Sequence, residues 1–210
     1  MGHLAEAIAD LKEDEVRELV QRHIADGADP SLLLAECRLG MDIVGQRYRA
    51  KEYFLSELII SGQIFKDAMK IVEPLLLAQN APQTSVGVVL GTVKGDIHDL
   101  GKDIVGTLLK GSGFEVHDLG VDVPPQRFVE KLVETQAPIL ALSGLITPAF
   151  DSMKQTVEAL RDAGLRDRVK VIIGGGIVTR KAMEYVGADA FSDDAAEGVE
   201  ICRELAGRVI

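Results

Sequence analysis

The chain contains no tryptophan, and only 4% of its 210 residues are aromatic. Its two cysteines, Cys37 and Cys202, lie far apart in the sequence and are not part of a CxxC pair. Neither a disulfide framework nor a cysteine-based zinc site is therefore indicated. We expect both cysteines to be buried thiols.

Long apolar runs are also missing, because no stretch has the length needed to cross a bilayer. The N-terminal segment MGHLAEAIADLKEDEV lacks the basic-then-apolar order of a signal peptide. We therefore expect a soluble, globular protein of the cytoplasm. The formal net charge of -10 repels nucleic acid phosphates and anionic membranes over the whole surface. This charge argues against nucleic acid or membrane partners.

From Leu4 to about Ala78 the apolar residues have the spacing of helices. Asp29-Pro30 predicts the start of one helix, because the carboxylate can cap it and proline suits its first turn. Another helix carries apolar residues at three- and four-residue steps, which predicts a face packed against neighbouring helices. This stripe consists of Leu55, Leu58, Ile59, Phe65, Met69 and Val72.

The polar, proline-containing segment 80–84 (NAPQT) breaks this pattern, and we interpret it as a linker between domains 1–80 and 85–210. After it, short β-branched runs alternate with helical segments, which predicts βαβ units. The expected fold class is α/β, with an N-terminal helical bundle followed by a flavodoxin-like or Rossmann-like sheet of five parallel strands. The strands are predicted in SVGVVLGTV, FEVHDLG, ILALSGL, VKVIIGGG and near Ala188–Phe191.

His98 lies in GDIHDLG, directly after the first predicted strand and before a helix. In a parallel α/β fold, ligands bind beyond the carboxyl ends of the strands, so this is a position for a site residue. Asp96 can accept the proton of the histidine Nδ1, which would leave Nε2 free to bind a metal. His117, within FEVHDLG, has no such neighbouring motif, and we assign it no chemistry.

Small and hydroxyl-bearing residues follow the same strand ends. Gly101 and Gly106 would let an extended ligand approach the backbone closely, because neither has a Cβ atom. Ser143 ends the third strand, and Thr147 follows shortly after it. The triplet 174–176 (GGG) ends the fourth. Together with His98, these residues predict a narrow slot for a long, thin ligand.

The motifs GDIHDLGK, LSGLITP and IGGG resemble the DxHxxG, SxL and GG elements of the cobalamin-binding domains of methionine synthase and of corrinoid methyltransferase subunits. Three motifs in register are highly specific. The helical part, through RYRAKEYFLSEL, also resembles the cap that precedes this domain in methyl-carrying members of the family. The resemblance therefore covers nearly the whole chain, as a helical cap domain followed by a cobalamin-binding α/β domain.

The resemblance implies a bound cobalamin or another corrinoid, in its methylcob(III)alamin and cob(I)alamin states. His98 would replace the cofactor's own base as the lower ligand of cobalt, and the nucleotide tail would enter the slot. Tyr48, Leu55 and Leu58 match positions of the cap that shields the upper cobalt face. The α/β residues implied to contact the cofactor are Asp96, Ile97, His98, Asp99, Gly101, Ser143, Leu145, Thr147, Gly174, Gly175 and Ala195.

In methionine synthase a serine extends the histidine–aspartate pair, and Ala149 stands at the matching position here. Asp96 would then have to rely on water or on the backbone.

Asp193-Asp194 predicts a helix cap, and the resemblance implies that the backbone of the adjoining Ala195 approaches the nucleotide.

The function implied is that of a carrier without turnover of its own. One substrate:corrinoid methyltransferase would load a methyl group onto cobalt, and a second methyltransferase would pass it to tetrahydrofolate or a thiol. A reductive activation protein is a further implied partner. The donors that the resemblance implies include methoxylated aromatics, methylamines, methanol and betaines.

Three alternatives stay open. A cobalamin-dependent sensor would need an output domain, and a light-sensing version would use a tryptophan that this chain lacks. The small subunit of an adenosylcobalamin mutase would not need the helical cap. A phosphoacceptor or nucleotide-binding domain fits poorly, since no GxGxxG or GxxxxGK[ST] loop follows the first strand.

Overall fold

The computed structural model describes residues 2–78 and 85–207. Within them the chain divides into two compact units, an N-terminal helical unit and an α/β unit that begins at Ser85. The predicted linker at 80–84 lies outside the described residues, so the proposed domain boundaries stay a prediction. No helix in the described part is long and apolar enough to span a bilayer.

The helical unit is built from helices whose apolar faces pack on one another. Its helices are α1 (His3–Ala9), α2 (Glu13–Ala25), α3 (Pro30–Arg49) and α4 (Leu55–Ala78). As predicted, α3 begins after Asp29, whose side chain accepts a hydrogen bond from the Ser31 amide at 2.9 Å, with Pro30 at the first helical position. At the start of α4, the Glu57 carboxylate accepts the Phe54 amide at 2.7 Å. These caps satisfy donors that the first turn leaves free.

The apolar stripe of α4 divides into a buried and an exposed part. Its members Leu58, Phe65, Met69 and Val72 are buried, so they belong to the core. Leu55 and Ile59 are 47% and 43% exposed, together with the neighbouring Phe54 and Ile60. The prediction that the whole stripe packs against other helices is therefore wrong for Leu55 and Ile59, which lie around the helix from the core face.

The α/β unit confirms the predicted fold class. Its strands are β1 (Gly87–Thr92), β2 (Glu115–Asp118), β3 (Ile139–Ser143), β4 (Lys170–Gly174) and β5 (Ala190–Ser192). Its helices are α5 (Leu100–Gly111), α6 (Pro125–Thr135), α7 (Ala149–Asp162), α8 (Arg180–Val186) and α9 (Ala195–Gly207). The strands form one parallel sheet with the order β2-β1-β3-β4-β5. Because β1 and β3 are neighbours while β2 lies outside β1, the strand order reverses beside β1.

Both faces of the sheet are covered by helices, which explains why the central strands are nearly continuous apolar runs. One face packs against α6, α7 and α8, where Phe128, Met153 and Leu160 are fully buried among alternate strand residues. On the other face, α5 packs closely on β1, since a Cβ added at Gly106 would lie 3.0 Å from Leu90. Gly106 therefore serves helix–strand packing, and the slot role expected for it is not supported.

Leu58→Ala and Leu55→Ala test the division of the α4 stripe. We expect Leu58→Ala to destabilise the helical unit by about 2 to 5 kcal/mol, because it removes buried methyl groups and leaves a cavity. The exposed Leu55→Ala should change stability by no more than about 0.5 kcal/mol. Urea unfolding followed by circular dichroism measures both. Equal effects of the two substitutions would contradict the burial assigned to Leu58.

Candidate functional site

The carboxyl ends of four strands are aligned at one edge of the sheet. Thr92 of β1 pairs with Ser143 of β3, Ser143 pairs with Gly174 of β4, and Gly174 pairs with Ser192 of β5. The loops that follow these residues therefore start side by side. This register brings the segments that carry His98, Leu145 and Gly175 to the same edge, as the sequence predicted.

Asp96 is the best-connected side chain of this edge, and only 1% of its surface is exposed. Its Oδ1 accepts hydrogen bonds from the His98 backbone amide at 3.0 Å and from the His98 Nδ1 at 2.7 Å. Its Oδ2 accepts the amides of Leu145 at 2.6 Å and Ile146 at 3.3 Å. The carboxylate thus connects the loop after β1 to the loop after β3.

The charge of Asp96 determines which histidine nitrogen is free. Burial raises the pKa of Asp96, but the hydrogen bonds from the amides of His98 and Leu145 and from the imidazole outweigh it, so that the net pKa is lowered. An ionised carboxylate can only accept hydrogen bonds, so the Nδ1 of His98 must carry the proton. In the neutral imidazole the lone pair is then on Nε2, and the side chain is 52% exposed.

Ala149, where a serine would extend the pair, is buried at the start of α7. A Cβ added at Gly144 would lie 2.6 Å from the Cβ of Ala149, which shows how tightly this turn packs. The second carboxylate oxygen of Asp96 is instead satisfied by the backbone amides of Leu145 and Ile146. The expectation that the backbone satisfies Asp96 is therefore confirmed.

The loops after β3 and β4 approach each other at Gly175, whose φ is +139°. A Cβ added there would lie 2.0 Å from the Gly144 carbonyl oxygen, a distance that no other residue could accept. Gly174 is more open, with its nearest contact at 3.7 Å. At Gly101 an added Cβ would meet no atom within 4 Å, so the space above α5 is free for a ligand.

The other predicted contact residues occupy the same edge in different environments. Ile97, Asp99, Leu145 and Thr147 are exposed on the loops after β1 and β3, and Ser143 is half-buried at the end of β3. Ala195 is half-buried as the first residue of α9. The predicted cap is confirmed for Asp194, whose Oδ1 accepts the Glu197 amide at 2.9 Å.

Three of the predicted contact residues belong to the helical unit, and their environments within that unit differ. Tyr48 is half-buried near the end of α3, Leu55 is exposed at the start of α4, and Leu58 is buried one turn later. Leu55 and Leu58 therefore do not share an exposed face. Their assignment as cofactor contacts stays a prediction.

The sequence reasoning missed part of the apolar surface at this edge. The loops after β1, β2, β3 and β4 all expose large apolar side chains, and such a patch is typical of a ligand or partner surface. The sequence feature that could have indicated these residues is a run of β-branched residues and leucines next to glycine. Such a run does not show which of its residues are exposed and which are buried. The exposed residues are Ile97 and Leu145, which were predicted, and Leu100 at the start of α5, Val121, Ile146 and Ile177, which were not.

The sequence analysis also missed Thr92. It is fully buried at the end of β1, and its hydroxyl donates to the carbonyl of His98 at 2.9 Å.

No cluster of three or more His, Cys, Asp or Glu side chains able to hold a metal ion occurs within the described residues. A cavity of about 440 Å³ lies at the opposite, amino-terminal edge, between the end of α6 and the start of β4, away from His98.

Comparison with known proteins bears on both units. A family model described as B12 binding domain matches residues 86–206, and another with the same description matches residues 2–73. Dimethylamine corrinoid protein 3 of Methanosarcina acetivorans is 35% identical over 206 residues, which are 98% of this chain and 96% of that protein. Trimethylamine corrinoid protein 1 of the same organism is 36% identical over 202 residues, 95% of this chain and 94% of that protein.

Two solved structures are also similar. A cobalamin-binding protein from Desulfitobacterium hafniense DCB-2 is 42% identical, with 96% of both chains covered and a TM-score of 0.76. The methanol:cobalamin methyltransferase complex from Methanosarcina barkeri contains a chain that is 28% identical, with a TM-score of 0.85. The match to that chain covers 97% of this one and 78% of the other.

Gly175→Ala and Gly101→Ala compare a glycine that is tightly packed with one that has open space around it. Gly175→Ala should destabilise the α/β unit by about 3 kcal/mol or more, because the methyl group would collide with a backbone carbonyl. Gly101→Ala should leave the protein without ligand as stable, or about 0.5 kcal/mol more stable, since it lies in a helix with open space around it. Thermal unfolding of each variant measures the difference. A stable Gly175→Ala variant would contradict the close approach of the two loops.

Proposed function

Because the chain belongs to the B12-binding family of corrinoid subunits of methyltransferase systems, we propose that it carries a methyl group between two partner enzymes. A substrate-specific methyltransferase loads the group, and a second methyltransferase passes it to tetrahydrofolate or a thiol. A reductive activation protein serves the same site. The relatives that match over nearly the whole chain favour this carrier role over a sensor or a mutase subunit.

The observation that carries the proposal is the Asp96–His98 pair. The corrinoid, when bound, supplies a cobalt that accepts and releases a methyl group and that can take an imidazole as its lower ligand. His98 fits this role, because its Nδ1 is held by a buried carboxylate while its Nε2 is free on an exposed ring. Because the corrin ring would itself supply the in-plane ligands of the metal, a single histidine from the protein would be enough, and no cluster of metal-binding side chains is needed.

The residues around His98 also fit a large, largely apolar ligand. Open space surrounds Gly101 in the first turn of α5, and Ile97 and Leu145 are exposed on the loops after β1 and β3. Burying such side chains under a ligand contributes about 25 cal/mol for each Å² of apolar surface covered. Ser143 and Gly174, paired at the strand ends, are the residues that we assign to the nucleotide tail.

The helical unit contributes a separate part of the proposal. We assign the shielding of the upper cobalt face to residues of α3 and α4, as the family resemblance implies. Of the three predicted cap residues Tyr48, Leu55 and Leu58, Leu55 has an exposed side chain, whereas Leu58 is buried. Leu55 is therefore the residue whose substitution changes the shield without removing part of the core.

His98→Ala tests the ligand role, with His117→Ala as the matched control. Cobalt(II) in the wild-type complex should show paramagnetic splitting from one axial nitrogen. Labelling the protein's histidines with the heavy nitrogen isotope should change that splitting. His98→Ala should abolish the isotope effect while still binding corrinoid, and His117→Ala should keep it, because His117 is largely buried on β2. An isotope effect that persists in His98→Ala would defeat the assignment.

Reconstitution tests the carrier role. The chain with reduced corrinoid is mixed with labelled methylamines, methanol, methoxylated aromatics or betaine, in the presence or absence of the matching methyltransferase. We expect label on the protein-bound corrinoid only when a methyltransferase is present, because this chain offers a cofactor site and its partner supplies the substrate pocket. The chain without corrinoid is the control. Loading from a donor without any partner would contradict a pure carrier role.

A further inference from the structure

The 119–123 loop, which covers all but the last residue between β2 and α6, is hydrogen-bonded to the loop that presents His98. It contains two residues in the left-handed region, Gly120 with φ +83° and Asp122 with φ +54°. Val123 bridges to Val93 in parallel fashion, and its amide donates to the Thr92 carbonyl at 3.0 Å. The 119–123 loop therefore extends the contact between β1 and β2 past the ends of both strands.

Asp122 makes the most direct of these connections. Its Oδ1 accepts the Gly95 amide at 2.8 Å, and its own amide donates to the Asp96 carbonyl at 3.0 Å. Gly95 is itself in the left-handed region, with φ +84°. The side chain and backbone of one residue thus hold the backbone of the two residues that precede Ile97 and His98.

A second connection reaches His98 itself. The Gly120 carbonyl accepts the Thr92 amide at 2.9 Å, and the Thr92 hydroxyl donates to the His98 carbonyl at 2.9 Å. The Gly120 amide in turn donates to Asp118 Oδ1 at 2.9 Å. The 119–123 loop therefore supports the His98 loop both before the histidine and at the histidine.

The start of the 119–123 loop is anchored by Lys102, a lysine that is only 4% exposed. Its ammonium group donates to Asp118 Oδ2 at 2.5 Å and to Asp103 Oδ1 at 2.6 Å. Burial lowers the pKa of Lys102, but the hydrogen bonds and charges of Asp103 and Asp118 raise it by more, so the net pKa is raised and the group stays charged. This ion pair fixes the end of β2 to the first turns of α5, the helix that follows His98.

We propose that Asp122 is a positioning residue for His98: through Gly95 and Asp96 it holds the imidazole-bearing loop in the conformation that directs Nε2 toward a ligand. This inference rests on the proposed function. Asp122 is exposed and makes no hydrogen bond to His98, so its effect passes through the backbone of the loop. The arrangement resembles the outer partners that orient metal-binding histidines in other proteins.

Two substitutions separate the hydrogen bond from the backbone conformation. Asp122→Gly keeps a positive φ without steric cost but removes the acceptor for Gly95. Asp122→Asn also tolerates positive φ and keeps a carbonyl oxygen that can accept the same hydrogen bond. Differences between these variants therefore report the hydrogen bond together with the greater backbone freedom of glycine, and Asp122→Asn should restore what Asp122→Gly loses.

The first measurement is amide hydrogen exchange in the full chain without corrinoid. We expect the Gly95 amide to exchange at least about fivefold faster in Asp122→Gly, the factor that corresponds to losing one ordinary hydrogen bond. Asp122→Asn should exchange at close to the wild-type rate. Circular dichroism of each variant confirms that the fold is retained before exchange is measured.

The second measurement is the cobalt(II) spectrum of the loaded protein with isotope-labelled histidine. The ratio of histidine-bound to histidine-free cobalt should fall about fivefold in Asp122→Gly and recover in Asp122→Asn. A wild-type spectrum without histidine nitrogen overturns the ligand role of His98. A wild-type spectrum with that nitrogen, retained unchanged in Asp122→Gly, overturns the positioning role of Asp122 alone, whether or not the exchange of the Gly95 amide changes.

Discussion

The buried carboxylate of Asp96 accepts hydrogen bonds from two loops that follow different strands. One oxygen holds the amide and the imidazole of His98, and the other holds the amides that follow Gly144. A buried charge is stable only when such donors surround it, so the loops after β1 and β3 must keep their present conformations together. The orientation of His98, the free Nε2 and the position of the neighbouring apolar side chains all depend on this requirement.

The same edge of the sheet combines residues with two different kinds of constraint. Gly175 and Ala149 are small because backbone and side chains approach them closely within the protein. Gly101, in contrast, has open space around it, and the apolar side chains of Ile97 and Leu100 are exposed beside it. This edge therefore consists of a tightly packed interior layer and an outer layer of exposed apolar side chains.

Much of this site could be predicted from the sequence because its residues lie in short motifs directly after strands. The alternation of β-branched runs with helical segments predicts a parallel sheet, and the sheet aligns Thr92, Ser143 and Gly174 at one edge. The role of Gly106 and the exposure of Leu55 could not be predicted in this way. Both depend on which face of a helix meets its neighbour, and a glycine or leucine looks the same in either case.

The sequence by itself determined the order of the elements, the fold class and the histidine–aspartate pair, since each depends on residues close together in the chain. Tertiary structure decided that backbone amides of Leu145 and Ile146 satisfy Asp96 where a serine is missing. It also brought Asp122 against Gly95. These contacts join residues far apart in sequence, and they form only when the parallel strands align, so no local pattern of residues could have indicated them.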